Sequence, residues 1–222
     1  MGNTAKKGLM VLILAAIVAG GAFAQVPGFA IGARAIGILP FYEPNADYKA
    51  SVAPVSLDFK GGIGFGAAVQ ASFNFIRLLG VQAEVIYNSD NVNVSGSYMG
   101  ATQDAGTFKT TSLLIPVLVR VGLPLGPVQL TAVVGPYYTL ALGDMEVKDT
   151  SGAGVQGEWE GSLGAMAGVI LGIPIGPGAL FADVRYAYDF SETKAKDGSQ
   201  TQGLYQKGAI HCGVGYAIQF GR

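Results

Sequence analysis

A single histidine, His211, and a single cysteine, Cys212, stand side by side near the end of a 222-residue chain. An imidazole can act as a general base, but a nucleophilic triad also needs a hydroxyl and a carboxylate arranged around it. No such Ser–Asp arrangement neighbours His211, so a hydrogen-bonded place inside the fold is its expected role. One cysteine excludes an intramolecular disulfide, and one of each excludes a His/Cys metal cluster. No nucleophile or paired-acid motif is legible elsewhere. The chain therefore reads as a non-enzyme, with no catalytic, cofactor-binding or metal residues expected. Gly62-Ile-Gly-Phe-Gly66 has the spacing of a dinucleotide fingerprint. That fingerprint requires a helix after its glycines, whereas strand-like alternation continues here to Phe75. Small residues lining a narrow interior are the better interpretation. Trp159, flanked by Glu158 and Glu160, serves either as an anchor packing its own loop or as a contact site.

The elements that would position these residues follow from composition. Half of the residues are hydrophobic, only 13% are charged, and mean hydropathy is +0.40. Disordered chains are poor in apolar residues, so disorder is excluded. A net charge of −1 provides no polybasic surface for nucleic acid. Such hydropathy points to a membrane, yet beyond the N-terminus no apolar run approaches the roughly 18–20 residues of a spanning helix. An apolar chain without long apolar runs can still cross a bilayer as a closed barrel of strands.

The local pattern agrees. In residues 61–75, Ile63, Phe65, Val69, Phe73 and Phe75 alternate with Gly62, Gly64, Gly66, Gln70, Ser72 and Asn74. That is period two, one oily face and one small or wet face. Towards the C-terminus, Ile210, Cys212, Val214, Tyr216, Ile218 and Phe220 oppose Lys207, His211 and Gln219. Likewise Leu180, Val184, Tyr186 and Tyr188 oppose Asp183, Arg185 and Asp189. A soluble sandwich would put more charge on its outward face, so the apolar face is expected to meet lipid. Cys212 falls on that face, as an inert small apolar residue.

Strands are expected near 28–39, 61–75, 81–88, 107–121, 128–141, 162–173, 179–190 and 204–220. The connections 76–80, 122–127 and 174–178 are short and rich in Gly and Pro, while 40–60, 89–106, 142–161 and 191–203 are long and polar. Alternating short turns and long loops are characteristic of bacterial outer-membrane barrels, with the short turns periplasmic. The expected fold is all-β, an eight-stranded antiparallel up-and-down transmembrane β-barrel. Residues 1–24 read as a signal peptide, with Lys6 and Lys7 before an apolar stretch from Gly8 to Gly20 and a small-x-small pattern at Ala22-Phe-Ala24. The barrel domain is then 25–222, placed in the bacterial outer membrane after the leader is removed.

Ser112-Leu-Leu-Ile-Pro-Val-Leu-Val-Arg-Val, followed by Gly135-Pro-Tyr-Tyr-Thr-Leu-Ala-Leu, resembles the outer-membrane β-barrel domain family that includes PorT-like proteins. Gly164-Ala-Met-Ala-Gly168 and Val184-Arg-Tyr186 are similar to later strands of that family. Gly215, Ile218 and Phe220 resemble the C-terminal signal read by the barrel insertion machinery. Two departures stand out: Gly213 sits in the usual polar slot, and Gly221-Arg222 follow the aromatic. The resemblance implies fold and location, and carries no catalytic residues.

Arg34, Glu84, Arg120, Asp183, Arg185 and His211 all fall on the inward face. An eight-stranded interior is filled by its own side chains, and charges enclosed there must pair. Arg120 is expected to meet Glu84 on the neighbouring strand, forming a polar plug like that of OmpA-type proteins. Further out, Ile36, Ile38, Gly62, Gly64, Gly66, Ile86, Gly164 and Met166 could line a small apolar pocket, as in OmpW-type barrels. Long neighbours such as Tyr137 are expected to fill it instead. The expected role is a largely plugged barrel in surface interaction or envelope structure. The alternative is a narrow pore or transport barrel for small hydrophobic or polar solutes. Expected partners are outer-membrane lipid, the insertion machinery and a ligand or host contact through the loops, with the protein a monomer.

Overall fold

The computed structural model describes residues 28–44, 56–76, 78–98, 101–125, 128–142, 145–148, 154–159, 161–191, 193–197 and 200–220. The expected leader and its cleavage site lie outside the described residues, as do Gly221 and Arg222. Twelve strands follow in chain order: β1 (Gly28–Pro44), β2 (Ser56–Gly61), β3 (Gly64–Asn74), β4 (Leu79–Tyr98), β5 (Ala101–Leu125), β6 (Val128–Ala141), β7 (Met145–Lys148), β8 (Gly154–Trp159), β9 (Leu163–Ile175), β10 (Gly178–Asp189), β11 (Thr193–Asp197) and β12 (Gln200–Phe220). Eight are staves of a closed barrel. β1, β3, β4, β5, β6, β9, β10 and β12 pair antiparallel in that order, and β12 returns to pair with β1.

The period-two signal decides which way each side chain faces. Along β12, buried His211, Gly213 and Ala217 alternate with exposed Cys212, Val214, Tyr216 and Ile218. The same alternation on the other staves gives an outer wall of Val, Ile, Leu and Phe side chains. A wall of that composition is stable against hydrocarbon and not against water. At one end the staves are joined tightly. β9 passes to β10 through Gly176 and Pro177, and Gly176 takes a positive φ of 59°, where glycine lacks the Cβ penalty.

The other end differs from the sequence expectation. Residues 89–98 and 101–106 are strand rather than loop: β4 and β5 stay paired from Leu79↔Val121 out to Tyr98↔Ala101. β2 pairs with β4, β7 with β5 and β8, and β11 with β8 and β12, so parts of the other long connections extend the sheet too. Trp159 thus ends a short strand, opposite Ala195. Backbone pairing continues where the outward residues turn polar, as at Asn91 and Lys109, while Asp90 and Val92 stay buried, so the apolar alternation fades before the ladder does. Gly62 and Ile63 join β2 to β3, so that stave starts at Gly64 rather than residue 61.

Candidate functional site

The interior is layered. Near mid-bore, Arg34 from β1, Glu84 from β4, and Asp183 and Arg185 from β10 close into a ring. Arg34 Nη2 donates to Glu84 Oε2 at 2.9 Å and its Nη1 to Asp183 Oδ1 at 2.5 Å. Arg185 Nη1 donates to Glu84 Oε1 at 2.7 Å and its Nη2 to Asp183 Oδ2 at 3.2 Å. Each arginine therefore bridges both acids, and all four side chains are 0% exposed. Gln82 Nε2 adds hydrogen bonds to Glu84 Oε1 and, at 3.1 Å, to Gln70 Oε1. The planar guanidinium fork suits this double engagement, which a lysine could not reproduce.

Gly213 makes the ring sterically feasible. A Cβ there would lie 2.9 Å from Asp183 Oδ1 and 3.1 Å from Arg34 Nη1. The departure from the expected polar slot is thus room for an ion pair. Gly215, next along the inward face, lies opposite Arg34, while Ile218 and Phe220 face outward. Phe220 approaches Phe29 with ring centroids 6.1 Å apart.

Arg120 does not join Glu84. It pairs across from Gly80, four residues along β4 from Glu84, a separation of roughly 13 Å on a strand. Glu84 is already held by Arg34 and Arg185. Arg120 is half-buried, forms no ion pair among the described residues, and its Nε has no hydrogen-bond partner. His211 is buried in the bore in register with Arg185, and its Nδ1 has no hydrogen-bond partner.

Outside the ring, the bore is filled with apolar side chains. Ile38, Ile86 and Met166 are fully buried, with Ile36, Leu114 and Tyr137 beside them. The Tyr137 ring occupies the space left by Gly164, where an added Cβ would collide with Tyr137 Cζ. Tyr137 therefore takes up the space beside Gly164.

A second polar layer follows, and parity alone reveals only part of it. Tyr137 donates its hydroxyl proton to Asp189 Oδ1, and Lys207 Nζ is bonded to Asp90 Oδ2. Asp189 and Lys207 have inward parity, which is a usable signal. Asp90 lies in a segment that the sequence presents as loop. The Gly62–Gly66 motif belongs to this layer: a Cβ at Gly64 would collide with Asp90 Oδ1, and one at Gly66 would lie 3.0 Å from Asn88 Oδ1. Its glycines admit polar side chains from β4.

Residues 28–195, more than half of the chain, match the family described as outer membrane protein beta-barrel domain. No curated protein matches the sequence. Among solved structures, the outer membrane protein OprG from Pseudomonas aeruginosa is similar at a TM-score of 0.59 and 13% identity, covering 90% of this chain and 99% of that one. A major outer membrane protein from Thermus thermophilus gives 0.59 and 16%, covering 88% and 100%. Neisserial surface protein A gives 0.51 and 14%, covering 86% and 97%. At these identities the likeness concerns the fold.

Proposed function

We infer the role of this chain from the premise that it belongs to the outer membrane protein beta-barrel domain family. It is an outer-membrane protein, and its finer role is that of a closed barrel acting in surface interaction or envelope structure rather than in catalysis. The observation that carries this reading is the ring of Arg34, Glu84, Asp183 and Arg185, whose side chains are wholly shielded and bonded across the bore from three staves. An interior of this strand number has little width beyond its side chains. Moving a solute through would require breaking charge-assisted bonds in a low-dielectric site, which is costly. The apolar layer beyond the ring supports the same conclusion.

On this reading the leader 1–24 is removed on export, and the insertion machinery engages the segment carrying Gly215, Ile218 and Phe220. The monomer then presents its long connections to an extracellular ligand or host surface. Planar-bilayer recording tests the closed lumen. The unmodified protein should give no steady channels; large, stable conductance steps would replace this reading with transport of small solutes.

A further inference from the structure

We propose that the lipid-facing wall holds one acyl chain of a membrane lipid in a groove floored by Ala33 and Ala35 of β1 and Ala67 of β3. The groove opens outward and measures about 530 Å³, within the roughly 300–1,000 Å³ of small-molecule sites. Its banks are Val214 of β12 on one side, and Val69 of β3 and Tyr87 of β4 on the other.

Register explains the hollow. Ala35 lies opposite Val214 on one neighbouring stave and opposite Ala67 on the other, and Ala67 lies opposite Tyr87. Two alanines thus adjoin between bulkier side chains. Ala33 and Gly37, on the same outward face of β1, prolong the hollow along the strand. A Cβ at Gly37 would meet nothing nearer than 3.9 Å. Larger side chains return beyond them, at Ile31 and Leu39. By contrast, β5 presents Ile115, Val117, Val119 and Val121 in the outward direction, with no gap among them.

Three observations select an acyl chain. The first is chemistry. The outward side chains of the lining carry no charge, and Arg34, which borders the groove, sends its guanidinium inward to Glu84 and Asp183. A lipid headgroup therefore finds no partner there. The second is height. Ala35 is midway along β1 between Phe29 and Phe41, outward aromatics of the kind that mark the two interfaces, so the groove lies at the level of lipid tails. The third is shape. A void against the wall forfeits dispersion contacts, and a flexible hydrocarbon chain follows a hollow that spans several staves. A second copy of the barrel fits less well, because a symmetric pair sets groove against groove and enlarges the void. The groove is continuous with the wall that faces the bilayer, so the chain belongs to a membrane lipid rather than to a free fatty acid. It also lies outside the bore, so its occupancy is independent of whether the lumen is closed.

The test folds the full-length protein in vesicles of palmitoyl-oleoyl phosphatidylglycerol, moves it into mild detergent and weighs it by native mass spectrometry. The unmodified barrel should retain one phospholipid. Ala35→Leu and Ala67→Leu fill the floor from neighbouring staves. Each should lower the retained fraction roughly tenfold, the equivalent of about two methylene contacts. Ala132→Leu is the control: it enlarges an outward alanine on β6, across the barrel from β1, and should leave retention unchanged. Heat-dependent gel mobility checks that each variant is folded. An unmodified barrel that carries no lipid would overturn the proposal. So would retention that survives both groove variants, or that falls equally in Ala132→Leu, since either describes ordinary boundary lipid. Particles of two protein copies, or a retained free fatty acid, would overturn it by giving the groove a different occupant.

Discussion

Charge is held at two heights in the bore, and on different terms. In the central ring, two guanidinium groups alternate with two carboxylates, each arginine touches both acids, and no side chain is exposed. In the outer layer, Lys207 is bonded to Asp90 and Tyr137 to Asp189, and the Lys207 side chain keeps 19% exposure. Asn88 Oδ1 and Asp90 Oδ1 remain without partners there. Both layers are buried, Asp90 at 0% exposure and Glu84 at 2%, so the difference lies in how their carboxylates are engaged. In the ring every carboxylate oxygen is bonded to a guanidinium, while the Nε of each arginine has no partner. In the outer layer Asp90 bonds through Oδ2 to Lys207, and its Oδ1 has no partner.

The sharpest way to break this contrast is Glu84→Ala. It removes an acid from both Arg34 and Arg185 at once and leaves two buried cations sharing Asp183. Breaking a buried ion pair from one side costs about 3–5 kcal/mol, so urea unfolding in vesicles should show a loss of that size. The same variant should also flicker between closed and conducting states in a planar bilayer. A loss below about 1 kcal/mol would mean that the ring contributes little to holding the barrel closed.

A second, somewhat smaller effect compares inside with outside at one height. Gly213 faces the ring, while Val214 beside it points outward and is 60% exposed. Arginine is accommodated on the inner side because acids await it, whereas the outer side offers none. Val214→Arg should therefore cost roughly 2–4 kcal/mol near the bilayer midplane, with Ile218→Arg costing less towards the interface and Gln219→Arg least. Folding yield into vesicles measures the order. Equal tolerance at all three positions would contradict the observed facing of β12.

These two expectations rest on features that the sequence makes legible to different degrees. Facing is legible because lipid on one side and a filled bore on the other demand opposite chemistries at alternate residues, as in Ile63 to Phe75 or Ile210 to Phe220. Ring membership is only partly legible. Parity places Arg34, Glu84, Arg120, Asp183, Arg185 and His211 inside, but it says nothing of height, and height depends on the register between staves. Glu84 lies level with Gln70 of β3, whereas Arg120 lies level with Gly80, and no local pattern records that offset. Asp90 is illegible for another reason: above the lipid, β4 and β5 remain paired while their outward residues turn polar, which resembles a loop. The glycines of Gly62–Gly66 are visible as small inward residues, but the side chains they admit are not.

Arg120 is the place where the smallest effect is the most informative. Of the three inward arginines near mid-bore, it alone has no acid, since Arg34 and Arg185 occupy the oxygens of both Glu84 and Asp183. It is also the one left half-buried rather than buried, so part of the residue reaches water while its Nε has no partner. Arg120→Gln should consequently cost far less stability than Glu84→Ala, because it removes a charge without breaking an ion pair. A double-mutant cycle sharpens this further. Residues in contact couple by about 0.5–3 kcal/mol, while separated ones add within about 0.3–0.5 kcal/mol. The Arg34–Glu84 cycle should fall in the first range and the Arg120–Glu84 cycle in the second. Strong coupling between Arg120 and Glu84 would mean that the acid exchanges partners along the bore, and that the ring is one of two arrangements of the same charges.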